Sequence, residues 1–407
     1  MAGSIHEFIA VRAAGSTLLR SAMAGDAAVL AHPEVAGNAV RLLIDNAKFR
    51  PSLLTDMKNA TKVINVQEFI WTKDGLGREV LDMLKQKVID GVEVNVQIDG
   101  TGSGGFPFSL HKVLARPSYR HLVSDMRESG INVAENWRFG GAPLKNGALR
   151  SWDHRKVFTI DGSIAYLGGI NLSKDYEHWH DVMVRVEGPA AAQAGAEFLG
   201  RWVDHGGSVS ARNAAALADA QLAPKLLGNA AARVITNSPG AERQLTASIL
   251  DDIRRSTKRL WITTPSIGSP EAVNALIVAK KRGVDVRVVV PTFAARDGDP
   301  FTRSITMTNI DELVAGGVKV YEHPRTVHAK VMLSDDVATI SSFNLNMRSH
   351  TKDMEAGLRV RDAKFASDVE RTLRIDFDEA HRVTPADGKH GYRQALRGVR
   401  ELFGLKF

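Results

Sequence analysis

Apolar and polar residues alternate along this chain in a pattern that occurs twice. The segments "ATKVINVQEFI" and "STKRLWITTPSI" each predict the end of a helix followed by a mostly apolar strand. Farther along, "LDMLKQKVIDGVEVNVQID" and "NALIVAKKRGVDVRVVVP" each predict an amphipathic helix, a glycine stop and a strand with valine at alternate positions. The pair "LVSDMRESGINV" and "IDELVAGGVKVY" repeats helix, glycine and strand once more. Two β-α-β-α-β series therefore follow each other along the chain.

This double series predicts an α/β fold with parallel strands and with helices on the faces of the sheet. We interpret it as a duplicated α/β unit whose halves are related by a pseudo-two-fold axis. Such an axis brings equivalent positions face to face, so each half can supply part of a single site. The predicted parts are an N-terminal helical segment (residues 1–39), a first half (40–207), an alanine-rich helix or linker (208–233), a second half (234–382) and a basic amphipathic tail (383–407).

The composition excludes some classes of function but does not identify a single one. With 407 residues, 44% hydrophobic and 24% charged, the chain has the make-up of an ordinary soluble globular protein. The absence of cysteine excludes disulfides, thiolate catalysis and cysteine-ligated zinc. The formal charge of +7 favours anionic partners such as nucleic acid, anionic lipid or a phosphorylated metabolite. No apolar run approaches the ~20 residues that cross a bilayer, and the N-terminus lacks a signal-peptide pattern, so we expect a cytoplasmic or peripheral membrane protein.

The first candidate motif lies in "WDHRKVFTIDGSIAYLGGIN". His154 and Lys156 are two residues apart on a predicted strand, so their side chains share one face. Asp161 and the glycine after it predict a two-residue hairpin turn. The returning strand ends at Gly169, and Asn171 follows.

A second copy lies in "VHAKVMLSDDVATISSFN". His328 and Lys330 again share a face, Asp335 begins the turn, and Ser342 and Asn344 follow the returning strand. The copy is one residue shorter between the aspartate and the asparagine. In both copies the aspartate sits at a turn away from the histidine face, so we expect it to be structural rather than chemical.

Each motif is followed by a carboxylate at the same distance along the chain. Asp181 lies 27 residues after His154, and Glu355 lies 27 residues after His328. A carboxylate beside a histidine accepts the Nδ1 proton and leaves Nε2 to attack or to carry a proton. Glu68, at the end of the first repeated strand, could also reach the site.

The assembled set suits phosphoryl transfer without a metal or another cofactor. Its lysines, asparagines and small glycine or serine residues can hold phosphate oxygens. One histidine attacks phosphorus to form a phosphohistidine, while the other protonates the leaving alcohol and then deprotonates the incoming water or alcohol. His178 and His180 flank a tryptophan, but nothing else has ligand spacing, so we predict no metal site.

The paired motifs resemble those of the phospholipase D superfamily, whose signature is His-x-Lys-x₄-Asp (HKD) with a downstream Gly/Ser-x-Asn element. Within it, "DHRKVFTIDGSIAYLGGINLSKDY", "WHDVMVRVEGPA" and "KRGVDVRVVVP" are most similar to bacterial cardiolipin synthases. The resemblance implies two phospholipase D-like α/β sandwich halves with one active site at their interface. It also implies a phospholipid substrate and a phosphatidyl-enzyme intermediate, with His154 as nucleophile and His328 as general acid. From the positive charge and the basic amphipathic tail we expect peripheral contact with an anionic membrane.

Two alternatives stay open. The superfamily contains nucleases and the chain is basic, so the substrate could be nucleic acid; however, aromatic residues, on which bases would stack, make up only 6% of the chain. A non-catalytic lipid-binding module is the second alternative. It is suggested by the shorter second copy and by Ser341, which stands where the family usually has glycine.

Overall fold

The computed structural model describes residues 32–104, 116–136, 151–222, 224–238, 243–292 and 300–387. The strands, in chain order, are β1 (Val35–Ile44), β2 (Val63–Glu68), β3 (Glu93–Asp99), β4 (Asn132–Asn136), β5 (Val157–Ile160), β6 (Ile164–Gly168), β7 (Val182–Glu187), β8 (Ala230–Asn237), β9 (Arg259–Thr263), β10 (Asp285–Pro291), β11 (Lys319–His323), β12 (Val331–Ser334), β13 (Val337–Ser341), β14 (Glu355–Arg361) and β15 (His381–Arg382).

The helices are α1 (Asp45–Asn59), α2 (Gly75–Ile89), α3 (Gly100–Gly104), α4 (Arg116–Glu128), α5 (Pro189–Asp204), α6 (Ala211–Leu222), α7 (Gln244–Arg255), α8 (Pro270–Lys281), α9 (Pro300–Ala315), α10 (Met347–Thr351) and α11 (Ala363–Glu379), with a 3-10 turn at Lys174–Tyr176. Among the residues that the structure describes, none of these helices combines the length and the apolar content needed to span a bilayer.

The described strands form one sheet in the order β15-β11-β10-β9-β12-β13-β14-β8-β1-β7-β6-β5-β2-β3-β4. Apart from β15, this order reads the same from both edges, because β8 to β14 repeat the arrangement of β1 to β7. The equivalent strands β1 and β8 pair antiparallel in the middle of the sheet and join the two halves. The predicted duplicated α/β architecture is therefore confirmed.

Parallel pairing is confined to the part of each half that the helix-glycine-strand pattern predicted. Strands β2, β3 and β4 are parallel to one another, as are β9, β10 and β11. The motif hairpins β5–β6 and β12–β13 add to these strands antiparallel, and β7 and β14 continue in the same way. Within each hairpin a turn of only two or three residues forces antiparallel pairing, since a parallel connection needs a crossover of a dozen or more residues.

The sheet bends between its two halves and places the motif hairpins face to face. Strand β6 of the first half lies within 8 Å of β13 and β14 of the second half, although none of them are neighbours in the sheet. The core between them is shared: Val157 and Ala165 pack in one cluster with Val331 and Ala338, closed by α5 and α11. The outer faces carry separate cores, under α1, α2 and α4 in one half and under α7 and α8 in the other.

Two predicted boundaries differ from the structure in the same way. Residues 35–39, predicted to be helical, belong to β1, and residues 230–233, predicted as linker, begin β8. Both stretches are rich in alanine, which favours a helix, but at the seam each is hydrogen-bonded to strands on both sides, and this pairing overrides the local preference. Residues 1–31 lie outside the described part, and so does the predicted tail beyond residue 387.

Candidate active site

The two motif histidines lie in the shared interface, and each takes its carboxylate from the other half. His154 Nδ1 is 3.0 Å from Glu355 Oε2, and His328 Nδ1 is 2.6 Å from Asp181 Oδ2. The equal spacing in sequence predicted one carboxylate for each motif, and the structure shows that the pairs cross. Each histidine therefore has an oriented Nδ1 only when both halves are docked.

Backbone hydrogen bonds between the two halves stabilise this crossed arrangement of histidines and carboxylates. His154 N donates to Met354 O at 3.0 Å, and Met354 N donates to Trp152 O at 2.8 Å. The pseudo-symmetric bridge joins His328 N to His180 O at 2.8 Å. Because Met354 and His180 immediately precede the two carboxylate residues, the main chain itself fixes each histidine relative to its partner.

The two lysines point into the same interface. Lys156 Nζ donates to His154 O at 2.7 Å, and Lys330 Nζ donates to His328 O. Both are almost fully buried, and burial lowers the pKa of Lys156 and brings that of Lys330 to about 7. The charge of Lys156 lowers the pKa of Lys330 further. Such a pair of partly desolvated cations is suited to an anionic group, which would restore the charge of Lys330.

Both histidines are held in the neutral form. Burial, followed by the charges of the nearby lysines, lowers the pKa of His328 to about 4 and that of His154 well below its ordinary range. Neutral imidazoles donate Nδ1–H to their carboxylates and keep a lone pair on Nε2. The arrangement therefore provides a nucleophilic nitrogen on each side.

The two carboxylates have unequal surroundings. Burial raises the pKa of Asp181, but His328 and Lys330 outweigh it and the net pKa lies below the usual value. For Glu355 burial prevails and raises the pKa to about 7, although two serine hydroxyls and both lysines oppose it. The halves thus share geometry but differ in proton affinity.

Gly169 and Ser342 occupy equivalent positions, and both contact the carboxylates. A Cβ on Gly169 would lie 2.2 Å from Asp181 Oδ1, so only glycine leaves room for that carboxylate. Ser342 donates its hydroxyl to Glu355 and accepts from Ala356 N at 3.1 Å. A direct phosphate contact was predicted for Gly169 and Ser342; in the structure both residues lie against the carboxylates.

The two asparagines were predicted to bind phosphate. Asn171 is buried and Asn344 is half-buried, and neither Oδ1 atom has a hydrogen-bond partner among the described residues. Because Oδ1 only accepts hydrogen bonds, a contact with a phosphate oxygen would have to come from the Nδ2 amide of each side chain. The one-residue difference between the copies does not displace them. It is absorbed in the turns, because Ile160 pairs with Ile164 across three residues, whereas Ser334 pairs with Val337 across two. The first turn is therefore one residue longer than predicted.

The motif aspartates lie at the far ends of the hairpins. The Asp161 carboxylate accepts backbone hydrogen bonds from residues 61–63 at 2.8–2.9 Å, and that of Asp335 accepts from residues 257–259 at 2.9–3.1 Å. Both aspartates have φ of 51°, in the left-handed region. These contacts fasten each hairpin to the start of β2 or β9.

Three residues that the sequence did not indicate contact the motif histidines or Glu355. The ring of Phe69 meets the His154 ring edge-on at 4.8 Å, and Trp179 meets His328 at 5.3 Å. Ser349 donates to Glu355 at 2.7 Å. In the sequence, Phe69 and Trp179 could have been suspected only because they lie next to residues already considered for the site. Nothing in the sequence pointed to Ser349.

Asp45 is a further residue that the sequence did not indicate. Its N–H donates to Asp181 O at 2.8 Å, and its carboxylate accepts from Asp181 N at 2.9 Å. Asp45 therefore holds the backbone of Asp181 at both its N–H and its carbonyl. The same carboxylate binds His180 Nδ1 at 2.9 Å, which places His180 in an ion pair rather than at the reaction centre. In the part of the chain that the structure describes, no group of three or more His, Asp or Glu side chains could hold a metal ion.

Comparison with known proteins identifies relatives of the whole double unit. The family model described as "Cardiolipin synthase, PLD-like domain" matches residues 53–202 and 249–376. Cardiolipin synthase A of Pseudomonas putida (strain GB-1) is 31% identical over 387 residues, which cover 90% of this chain and 74% of the relative. The same enzyme of Pseudomonas aeruginosa (strain LESB58) is 30% identical over 388 residues, 91% of this chain and 72% of the relative. Phosphatidylserine synthase of Haemophilus influenzae Rd KW20, a crystal structure, shares the fold, with a TM-score of 0.70 over 95% of this chain and 97% of that one at 16% identity.

Proposed function

Because the chain belongs to the phospholipase D superfamily and is a cardiolipin synthase-like phosphatidyltransferase, we propose that it transfers a phosphatidyl group through a phosphohistidine without a metal. The donor is a phospholipid, and the acceptor is the glycerol hydroxyl of a second phosphatidylglycerol, as the name of the relatives suggests. The observation that carries the proposal is the pair of crossed histidine–carboxylate contacts, at 3.0 and 2.6 Å, beside two buried lysines.

In the first step His154 Nε2 attacks the phosphorus of the donor lipid. The new N–P bond forms as the bond from phosphorus to the headgroup oxygen breaks, and Glu355 stabilises the imidazolium through Nδ1–H. His328 gives a proton to the leaving alkoxide. The phosphodiester charge, added to that of Asp181, raises the proton affinity of His328 from its depressed value, so that the acid form is available once substrate is bound.

The second step reverses these roles. His328 takes the proton of the acceptor hydroxyl, the oxygen attacks phosphorus, and the N–P bond breaks to release the product and neutral His154. Lys156, Lys330 and the asparagine amides hold the phosphate oxygens in both steps, which supplies the positive charge that a metal provides in other phosphoryl-transfer sites. Water in place of the alcohol would give phosphatidic acid by the same route.

The decisive experiment uses pure protein, EDTA and phosphatidylglycerol in mixed micelles, with products read by lipid mass spectrometry. We expect cardiolipin and glycerol from the wild type, no product from His154→Ala, and normal product from the control His178→Ala, whose side chain is exposed. Phosphatidic acid alone would replace the proposed acceptor by water. Loss of activity in EDTA, or cleavage of DNA but of no lipid, would refute the proposal.

The order of the histidines is tested with His328→Ala. Without its acid–base partner the second step should stall, so intact-protein mass spectrometry after incubation with an activated phosphodiester donor should show a phosphatidyl adduct on His154. The same adduct on His328 in the His154→Ala variant, and none in His328→Ala, would reverse the assignment.

A further inference from the structure

Glu68 is an acid of the first half that the second half lacks. In the register of β2 and β5, Gln67 pairs with Val157, which puts Glu68 opposite Lys156 at the end of the strand. The equivalent position opposite Lys330 is Thr264, because Thr263 pairs with Val331. The Thr264 hydroxyl is already used, donating to a backbone carbonyl at 2.9 Å. The two lysines therefore have different neighbours.

Only one of the two oxygen atoms of the Glu68 carboxyl group has hydrogen-bond partners among the described residues. Oε1 accepts hydrogen bonds from Phe69 N at 3.0 Å and Ile70 N at 3.3 Å. Oε2 is buried and has no hydrogen-bond partner among the described residues. A buried polar atom without a partner is costly, and it calls for an explanation when it sits in a functional site.

The charges around Glu68 indicate where its proton lies. The charged groups that face it are Lys156, from the segment leading into β5, and Asp181, from the start of β7. Burial, which outweighs the effect of Lys156, raises the pKa of Glu68 to about 8, so the carboxyl is protonated at neutral pH. Oε1 already accepts two hydrogen bonds, so the proton belongs on Oε2. The Lys156 ammonium cannot accept it, since it has no lone pair.

We propose that Glu68 is a further catalytic residue that donates a hydrogen bond from Oε2 to a non-bridging oxygen of the phosphodiester bound at Lys156. The inference rests on the proposed function for the position of the phosphate. Glu68 lies opposite Lys156 on the same face of the sheet, and each is 1% exposed, so the carboxyl is beside the lysine in the same buried part of the interface. The donor gives the first half one phosphate contact that the second half does not provide.

Two substitutions of Glu68 distinguish the effect of its hydrogen-bond donor from the effect of ionising its carboxyl group. Glu68→Gln keeps an acceptor for the two backbone N–H groups and puts an amide N–H donor in place of the carboxyl O–H. Glu68→Ala removes both. Thr264→Val is the matched control, since it changes the pseudo-symmetric position opposite Lys330.

The first readout is binding of dimethyl phosphate, a phosphodiester whose charge is constant from pH 6 to 9, followed by ³¹P NMR. At pH 7 we expect Glu68→Ala to weaken binding by about ten- to a hundred-fold, and Glu68→Gln and Thr264→Val to change it less than about threefold. The wild type should lose affinity above about pH 8, as Glu68 ionises, and Glu68→Gln should lose less. Equal weakening by Gln and Ala, or the same alkaline loss in wild type and Glu68→Gln, would overturn the inference.

The second readout is phosphatidylglycerol turnover by the same proteins. The kcat/KM of Glu68→Ala should fall by a similar factor, while Glu68→Gln stays close to the wild type and remains active at higher pH. If no protein turns over lipid but dimethyl phosphate binding follows the expected pattern, the substrate class is wrong and the role of Glu68 stands. If lipid is turned over and Glu68→Ala matches the wild type, the proposed function stands and the role of Glu68 is refuted.

Discussion

Replacement of Asp161 by alanine tests whether the third residue of the motif acts in folding or in chemistry. Its carboxylate accepts three backbone hydrogen bonds and one from the Thr61 hydroxyl, at 2.8–2.9 Å. Lys156 lies five residues away along an extended strand, which is roughly 16 Å at ~3.3 Å per residue. We therefore expect Asp161→Ala to reduce stability and to leave the turnover of folded molecules nearly unchanged.

The size of the effect follows from these contacts. The region is solvent-exposed, so water can hydrate the freed N–H groups, and each lost hydrogen bond costs only about 1 kcal/mol. Alanine at φ of 51° adds about 1 kcal/mol of backbone strain. Four hydrogen bonds and the strain sum to about 5 kcal/mol, a large part of the ~5–15 kcal/mol by which proteins are usually stable. Asp161→Gly removes the same hydrogen bonds without the strain and should cost about 1 kcal/mol less.

The assay combines urea unfolding, followed by circular dichroism, with lipid turnover per folded molecule. Asp335→Ala, which breaks the equivalent contacts of the second half, serves as an independent copy of the experiment. A turnover that drops a hundredfold while the free energy of unfolding stays constant would refute the reasoning and place Asp161 in the chemistry.

Three further outcomes are expected. Glu355→Gln leaves His154 without its anion and should lower kcat by about 10²–10⁴-fold with little change in KM, as measured by headgroup release. His328 is protonated near pH 6.5 in the unfolded chain but only near pH 4 in the folded one, so folding stability should fall as pH drops through this window; His328→Asn should flatten that slope in urea titrations. Gly169→Ala should displace the neighbouring carboxylate and abolish most activity, whereas Gly200→Ala, with open space around its Cβ in α5, should keep full activity and gain a few tenths to about 1 kcal/mol of stability.

The sequence contains enough to predict the repeated helices and strands, because their apolar periodicity is strong and occurs twice. It also contains the histidine, lysine and carboxylate residues of the site. The crossing of the pairs could not be predicted, since a spacing of 27 residues fits a carboxylate from either half. Only the sheet order, with β1 against β8, decides it.

The two strand starts that the sequence analysis placed outside the repeated halves occupy equivalent positions in those halves. The starts of β1 and β8 were both assigned outside the repeated halves, because their alanine-rich sequences lack the alternation of the other strands. Their strand structure comes from partners that are distant in the chain, such as Glu187 for Ala39 and Arg361 for Ala231. The contacts of Gly169 and Ser342 were missed for a related reason, since what a small residue makes room for depends on the strand beside it.

The crossed pairs also determine when the proposed site is complete during synthesis of the chain. His154 is made 201 residues before Glu355, so the first half leaves the ribosome with its histidine and lysine but no carboxylate for that histidine. Domains of large proteins generally fold as they emerge, but the first half lacks both this carboxylate and the second-half residues of the shared core until the rest of the chain follows. A complete site is therefore a property of the finished, docked chain, and a break that lets the halves separate would take the carboxylate from both histidines at once.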